Sequence, residues 1–223
     1  TYGFYRTYAK TYGLDIDEIP VKDDFSIAIN DYMDLDGDII FANPNNPTGL
    51  TVAVSDIEAL VRKKPDRMII VDEAYVDYSG ETCLPLAVKY PNLVVVRTFS
   101  KSRNMAGAHI GFAVSCKSII DDMNKIKFSF NPFNMNSVTM AAGIAAVKDT
   151  IYMENCVSEI IKNNGIMLHK AKINLIVAPA GSGKTYYIFN TLLDTTKKSV
   201  YLCDTSNLQE SILKDKDIFD KVK

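Results

Sequence analysis

Three short apolar runs, 38–42, 68–71 and 93–96, stand out because they do not alternate with polar residues and are rich in Ile and Val. An unalternating β-rich run predicts a strand buried on both faces of a parallel sheet. Between the first two, Ser55-Asp-Ile-Glu58 has the spacing of a capping box, Ile57, Leu60 and Val61 fall on one helical face, and Pro65 closes the segment. The pattern predicts a helix from Ser55 and, with its flanking strands, a β-α-β unit with a right-handed crossover. The run 108–114 predicts another strand. Beyond it, 117–127 with Ile119, Ile120, Met123 and Ile126 at helical spacing, the Ala-rich 136–148, and 151–163 predict helices. The polar stretch from Asn163 through Gly165 to Lys172 predicts a helix stop and a domain boundary.

In open α/β sheets ligands bind beyond the carboxyl ends of the parallel strands, so the residues after each run carry the first chemical information. The first run leads into Asn43-Pro-Asn-Asn-Pro-Thr-Gly49, a loop stiffened by two prolines that displays amides. The second leads into Asp72-Glu-Ala-Tyr75 and the third, through Arg97, into Thr98-Phe-Ser-Lys101. Singly these fragments read as a turn, a helix cap and solvated surface. At three successive strand ends they gather an amide, a carboxylate, a phenol, two hydroxyls and an amine. A nucleophilic lysine, an acid for a ring nitrogen and hydroxyls for a phosphate are what pyridoxal phosphate requires.

Composition narrows the setting. With 223 residues, 47% hydrophobic and 23% charged, the chain reads as neither disordered nor a disulfide miniprotein. A net charge of −2 argues against a nucleic-acid partner or a basic membrane surface. The longest apolar run, 140–147, falls far short of the roughly 18–20 residues of a membrane span. The cysteines, at 83, 116, 156 and 203, form no Cys-x-x-Cys pair, so no metal site is visible and a reducing, cytoplasmic compartment is expected. The charge is uneven: residues 1–165 carry a net −5 and all five arginines, while 166–223 carry a net +3 and none. That step predicts two pieces of unlike origin.

In this order and spacing, Asn45-Asn-Pro-Thr-Gly49, Val71-Asp-Glu-Ala-Tyr75 and Thr98-Phe-Ser-Lys-Ser-Arg-Asn-Met-Ala-Gly-Ala-His-Ile-Gly111 resemble the class I/II pyridoxal-phosphate-dependent aminotransferases, in particular their histidinol-phosphate group. The resemblance covers roughly residues 1–163 and implies an α/β fold: a fragment of the aspartate-aminotransferase large domain, with a mostly parallel sheet and flanking helices. It implies that Lys101 forms the internal aldimine and moves the substrate's α-proton, that Asp72 pairs with the pyridinium nitrogen, and that Asn46 and Tyr75 hydrogen-bond the ring oxygen. Thr98 and Ser100 would hold the cofactor phosphate, and Tyr2 would stack on the ring. The expected partners are a small-molecule amino donor and a 2-oxoacid, with histidinol phosphate and 2-oxoglutarate as the pair in histidine biosynthesis, and a second copy of the chain in a homodimer.

Two departures from the family qualify this. Eight residues beyond the lysine, where the family carries a phosphate-gripping arginine, this chain has His109. An imidazole, with a reference pKa of about 6.5, grips a phosphate more weakly and with more pH sensitivity than a guanidinium. Two alternatives stay open: Arg103 reaching the phosphate, and His109 as a buried strand histidine. The chain also opens in mid-pattern without Met, and no arginine follows Arg103. The expectation is therefore a large domain over 1–165, truncated at both ends and lacking the family's substrate-carboxylate arginines.

The second piece, 166–223, opens with a predicted strand at 173–177 that runs into Ala178-Pro-Ala-Gly-Ser-Gly-Lys-Thr185. The motif resembles the opening of a helicase-like P-loop ATPase. Gly181, Ser182 and Gly183 would curl around a phosphate, Lys184 would add charge and Thr185 would hold Mg²⁺, making Mg·ATP a second candidate ligand. Two alternatives to transamination follow: a nucleotide-binding module, or a non-catalytic fusion in which neither site is complete.

Overall fold

The computed structural model describes residues 2–164. Helix α1 (Phe4–Tyr12) stops at Gly13, whose left-handed backbone (φ 66°) lets the Leu14 N–H reach the Ala9 carbonyl at 2.9 Å. The three apolar runs then form strands β1 (Ile39–Ala42), β2 (Ile69–Asp72) and β3 (Leu93–Thr98), paired in that order and all parallel. Helix α2 (Val54–Lys63) joins β1 to β2, and the short α3 (Val76–Ser79) and α4 (Leu84–Lys89) join β2 to β3.

Each strand adds on the same side of the last, so both crossovers lay their helices on one face of the sheet. Ile39, Phe41, Ile69, Val71, Leu93 and Val95 pack there against Ile57, Leu60 and Val61 of α2 and Leu86 and Ala87 of α4. The opposite face is only partly covered by the described residues: Val94 is buried, but Ile40 is 39% exposed. The expectation of strands buried on both faces therefore holds in full for one face and in part for the other, where Ala42 and Val94 are buried.

Helix α2 begins two residues before the capping box predicts. Ala53 is its N-cap and Ser55 lies inside the first turn. The chain is already fixed at Val52, which the Asn43 side chain grips through both backbone groups, so the helix starts directly after it. The strand expected over 108–114 also starts late, as β4 (Gly111–Val114), antiparallel to β3. A 3₁₀ turn at Ala106–Ala108 and a left-handed His109 (φ 52°) come first. Pairing begins at Gly111, where an added Cβ would lie 2.7 Å from the Arg97 carbonyl oxygen. Helices α5 (Lys117–Phe130), α6 (Ser137–Lys148) and α7 (Thr150–Asn164) follow. The first outruns its expected end at 127, and the second is capped by the Asn136 side chain, which accepts the Thr139 N–H at 2.8 Å. Among the described residues no helix is long and apolar enough to cross a membrane.

Candidate active site

The parallel register sets Ala42, Asp72 and Val96 level across the sheet. One further pair of backbone bonds, Asn43 N–H to the Asp72 carbonyl and Glu73 N–H to the Val96 carbonyl, both 2.9 Å, carries the ladder past the strand ends. The three chains then diverge into loops at the same edge.

In the first loop two of the three asparagines are engaged in holding it together. Asn43, buried, accepts the Val52 N–H at 2.8 Å and donates to the Val52 carbonyl at 3.1 Å. Asn45 donates to Thr48 Oγ1 at 2.9 Å, and Gly49, at φ 71°, returns its N–H to the Asn45 carbonyl at 2.7 Å. Half-buried Asn46 makes no side-chain hydrogen bond among the described residues, which leaves its amide for a ligand.

In the second loop Asp72 accepts the Ala74 N–H at 3.0 Å on Oδ1 and the Tyr5 hydroxyl at 2.6 Å on Oδ2. The turn that follows places Tyr75 just before α3, with its ring centroid 5.1 Å from the Lys101 amine. The third loop leaves β3 in a tight turn. Thr98 Oγ1 accepts the Ser100 N–H at 3.1 Å and contacts the Ile110 carbonyl at 3.4 Å, while the Phe99 N–H bonds that carbonyl at 3.0 Å. The Thr98 hydroxyl, expected to hold a phosphate, is thus engaged inside the turn. The hydroxyl of Ser100 and the amine of Lys101 make no hydrogen bond or ion pair among the described residues.

His109 is exposed and next to Ile110, hence beside this turn; it is neither buried nor in a strand. Arg103 is turned away: its guanidinium donates to the Ala146 carbonyl near the end of α6 and lies over the Phe99 ring. Tyr2, 48% exposed, reaches the site through Tyr5, the two rings meeting edge-on with centroids 5.7 Å apart.

Behind these side chains runs a charged network that the sequence reading did not find. The Glu73 carboxylate, fully buried, accepts from Thr82 Oγ1 at 2.8 Å, from the Cys83 N–H and from Arg97 Nε at 2.9 Å. Arg97 also contacts Asp77 at 3.4 Å, and Asp77 accepts the Ser102 hydroxyl. Its sequence signal is a charge of each sign at the ends of adjacent buried strands, which a buried site tolerates only in pairs. Burial, reinforced by Glu73, pushes the Cys83 thiol up to about 12, which leaves it protonated and inert near neutrality. Burial first, then the bond to Asp72, holds the Tyr5 phenol above its ordinary range.

The sequence model described as aminotransferase class I and II matches residues 1–207. The chain belongs to this aminotransferase family. It is similar to the histidinol-phosphate aminotransferases of Brachyspira hyodysenteriae, at 43% identity over 78% of this chain and 49% of that protein, and of Clostridium botulinum strain 657, at 36% identity over 91% and 56%. In three dimensions it resembles a histidinol-phosphate aminotransferase from Sinorhizobium meliloti solved in complex with pyridoxal-5'-phosphate (TM-score 0.67, 24% identity, 74% of this chain and 46% of that one). This aminotransferase-family chain spans about half the length of the curated relatives it matches. The family match runs through the 178–185 motif, and residues 166–223, with Gly181, Ser182, Gly183, Lys184 and Thr185, lie outside the described residues.

Proposed function

We propose that the protein is a pyridoxal-phosphate-dependent aminotransferase that moves an amino group between histidinol phosphate and 2-oxoglutarate, with Lys101 as its catalytic amine. The observation that carries the reading is the company Lys101 keeps: an amine without an ion-pair partner among the described residues, over the Tyr75 ring, at the end of the sheet where Asp72 is held. The curated relatives at 36% and 43% identity, both histidinol-phosphate aminotransferases, support the substrate class.

The residues fit the cofactor. An amine, an amide at Asn46 and a hydroxyl at Ser100, both uncommitted among the described residues, and a carboxylate with acceptor capacity remaining match an aldehyde-bearing pyridine phosphate. When bound, pyridoxal phosphate supplies an aldehyde carbon open to amines and a pyridinium ring that withdraws electrons from a substrate's α-carbon. Lys101 carries the proton to and from that α-carbon. Asp72 would hold the proton on the ring nitrogen, Asn46 and Tyr75 would bind the ring oxygen, and Tyr2 would supply an aromatic surface for the ring. Ser100 donates to the phosphate while Thr98 shapes the turn that presents Ser100, and His109 stands at the same turn. A homodimer belongs to this reading too.

Sodium borohydride treatment of protein loaded with pyridoxal phosphate, followed by peptide mapping, should place the label on Lys101, and Lys101→Ala should take none. A protein that binds no cofactor, or carries the label on another lysine, sinks the proposal. The motif at Gly181 to Thr185 favours a second reading, a nucleotide-binding segment over 166–223. There Mg·ATP should raise the melting temperature and Lys184→Ala should abolish the rise; an unmoved melting temperature removes this reading.

A further inference from the structure

Resting on the reading that Asp72 serves the cofactor's ring nitrogen, we propose that Tyr5 is the positioning residue for that carboxylate: its hydroxyl holds Asp72 aimed at the ring nitrogen, so that the shared proton stays on the ring. The bond is 2.6 Å long and joins residues 67 apart in sequence. With the Ala74 N–H on the other oxygen, both Asp72 oxygens are tethered, which fixes the plane of the carboxylate. Each oxygen accepts two donors, so one acceptor position on each remains for the ring nitrogen.

A donor to a carboxylate makes it a weaker base. Without that donor Asp72 competes harder for the proton it shares, and the ring becomes a poorer electron sink. Tyr5 is half-buried, and both its burial and the bond to Asp72 favour the protonated phenol, so it acts as a donor and never as a rival anion. Its place on the chain adds to the case. Tyr2 lies three residues earlier with its ring edge-on to Tyr5, so the start of α1 brings both the ring proposed to cover the cofactor and the hydroxyl that governs its acid.

The test compares wild type with Tyr5→Phe, full chain, loaded with pyridoxal phosphate labelled with ¹⁵N at the ring nitrogen. At one pH the wild-type ¹⁵N signal should lie at the protonated position and the Tyr5→Phe signal should move toward the unprotonated one. With histidinol phosphate as donor, kcat should fall about 10- to 100-fold with KM nearly unchanged, the range expected when a hydrogen bond to a charged group is lost. In an Asp72→Asn background the same change should have no further effect. An unmoved ¹⁵N signal with kcat within about twofold overturns the proposal and leaves Tyr5 a tether between α1 and the sheet. Wild type that takes up no cofactor overturns this proposal and the aminotransferase reading together, whereas a normal wild type beside an unaltered variant overturns this one alone. If Tyr5→Phe does not fold, replacing Tyr5 by 3-fluorotyrosine keeps the packing and strengthens the donor; the pH at which the nitrogen signal leaves the protonated position should then rise above that of wild type, and an unchanged pH refutes the idea.

Discussion

Three asparagines within four residues, at 43, 45 and 46, do different physical work, and the difference lies in what each amide already holds. Asn43 substitutes for a missing strand neighbour at Val52, bonding it at 2.8 and 3.1 Å from a buried position. Truncating Asn43 to Ala leaves both Val52 groups without partners, at a cost of about 1–3 kcal/mol per group, so urea denaturation should show a clear loss for Asn43→Ala. Asn46→Ala should leave the denaturation midpoint within error and weaken pyridoxal phosphate binding, which a fluorescence titration reads; the opposite pattern would exchange the two roles. Cys83 offers a pH test of the same kind. Its folded thiol titrates near 12 against an ordinary value of 9.0, so the fold favours the protonated form. Stability from this group is complete below about 9 and is lost as the pH rises toward 12. Tyr78, pushed up to about 12 mainly by burial, adds to the loss over the upper part of that range. Cys83→Ala should therefore flatten the alkaline fall in melting temperature, and an unchanged slope would mean that the thiol does not couple to folding.

The elements legible in the sequence are those whose pattern is set by burial over several residues: β1 to β3 and the longer helices. Helices α3 and α4, of four and six residues, are too short to show a 3.6-residue period, and α1 was not read at all. The start of β4 was misplaced because 108–110 are apolar enough for a strand, whereas the backbone before Gly111 turns left-handed at His109. What fixes the strand's entry is contact rather than pattern: a Cβ on residue 111 would meet the Arg97 carbonyl oxygen at 2.7 Å. That neighbour is backbone, inside the β3–β4 ladder, and cannot step aside. Gly111→Ala should cost about 1–3 kcal/mol as overpacking does, and because Gly111 pairs with Thr98 it should also loosen cofactor binding at the adjoining turn. A variant as stable as wild type would show that β4 can shift without strain.

Among the described residues, those at the strand ends come in neighbouring pairs, one member in the candidate site and the other in the support behind it. Asp72 precedes Glu73, Arg97 precedes Thr98 and Lys101 precedes Ser102; Glu73, Arg97 and Ser102 join Asp77 in one network. The candidate site members stand out in the sequence because their chemistry is unusual for strand ends. The support was not, since the Glu73–Arg97 pair links residues 24 apart that only the sheet register brings together. A buried ion pair is a weak source of net stability, but removing one member leaves an uncompensated charge and costs roughly 3–5 kcal/mol. Arg97→Leu, with the Glu73 side chain fully buried, should therefore be strongly destabilising in urea. The double variant Arg97→Leu with Glu73→Leu should recover part of that loss, because no buried charge is left alone. Its melting temperature should lie above that of Arg97→Leu, while its cofactor affinity stays low, since neither leucine can hold the Ser102 and Asp77 side of the turn that presents Lys101. If the double variant is no more stable than the single one, the pair contributes net stability and is more than a scaffold. If it is more stable and binds cofactor normally, the network has no part in placing Lys101.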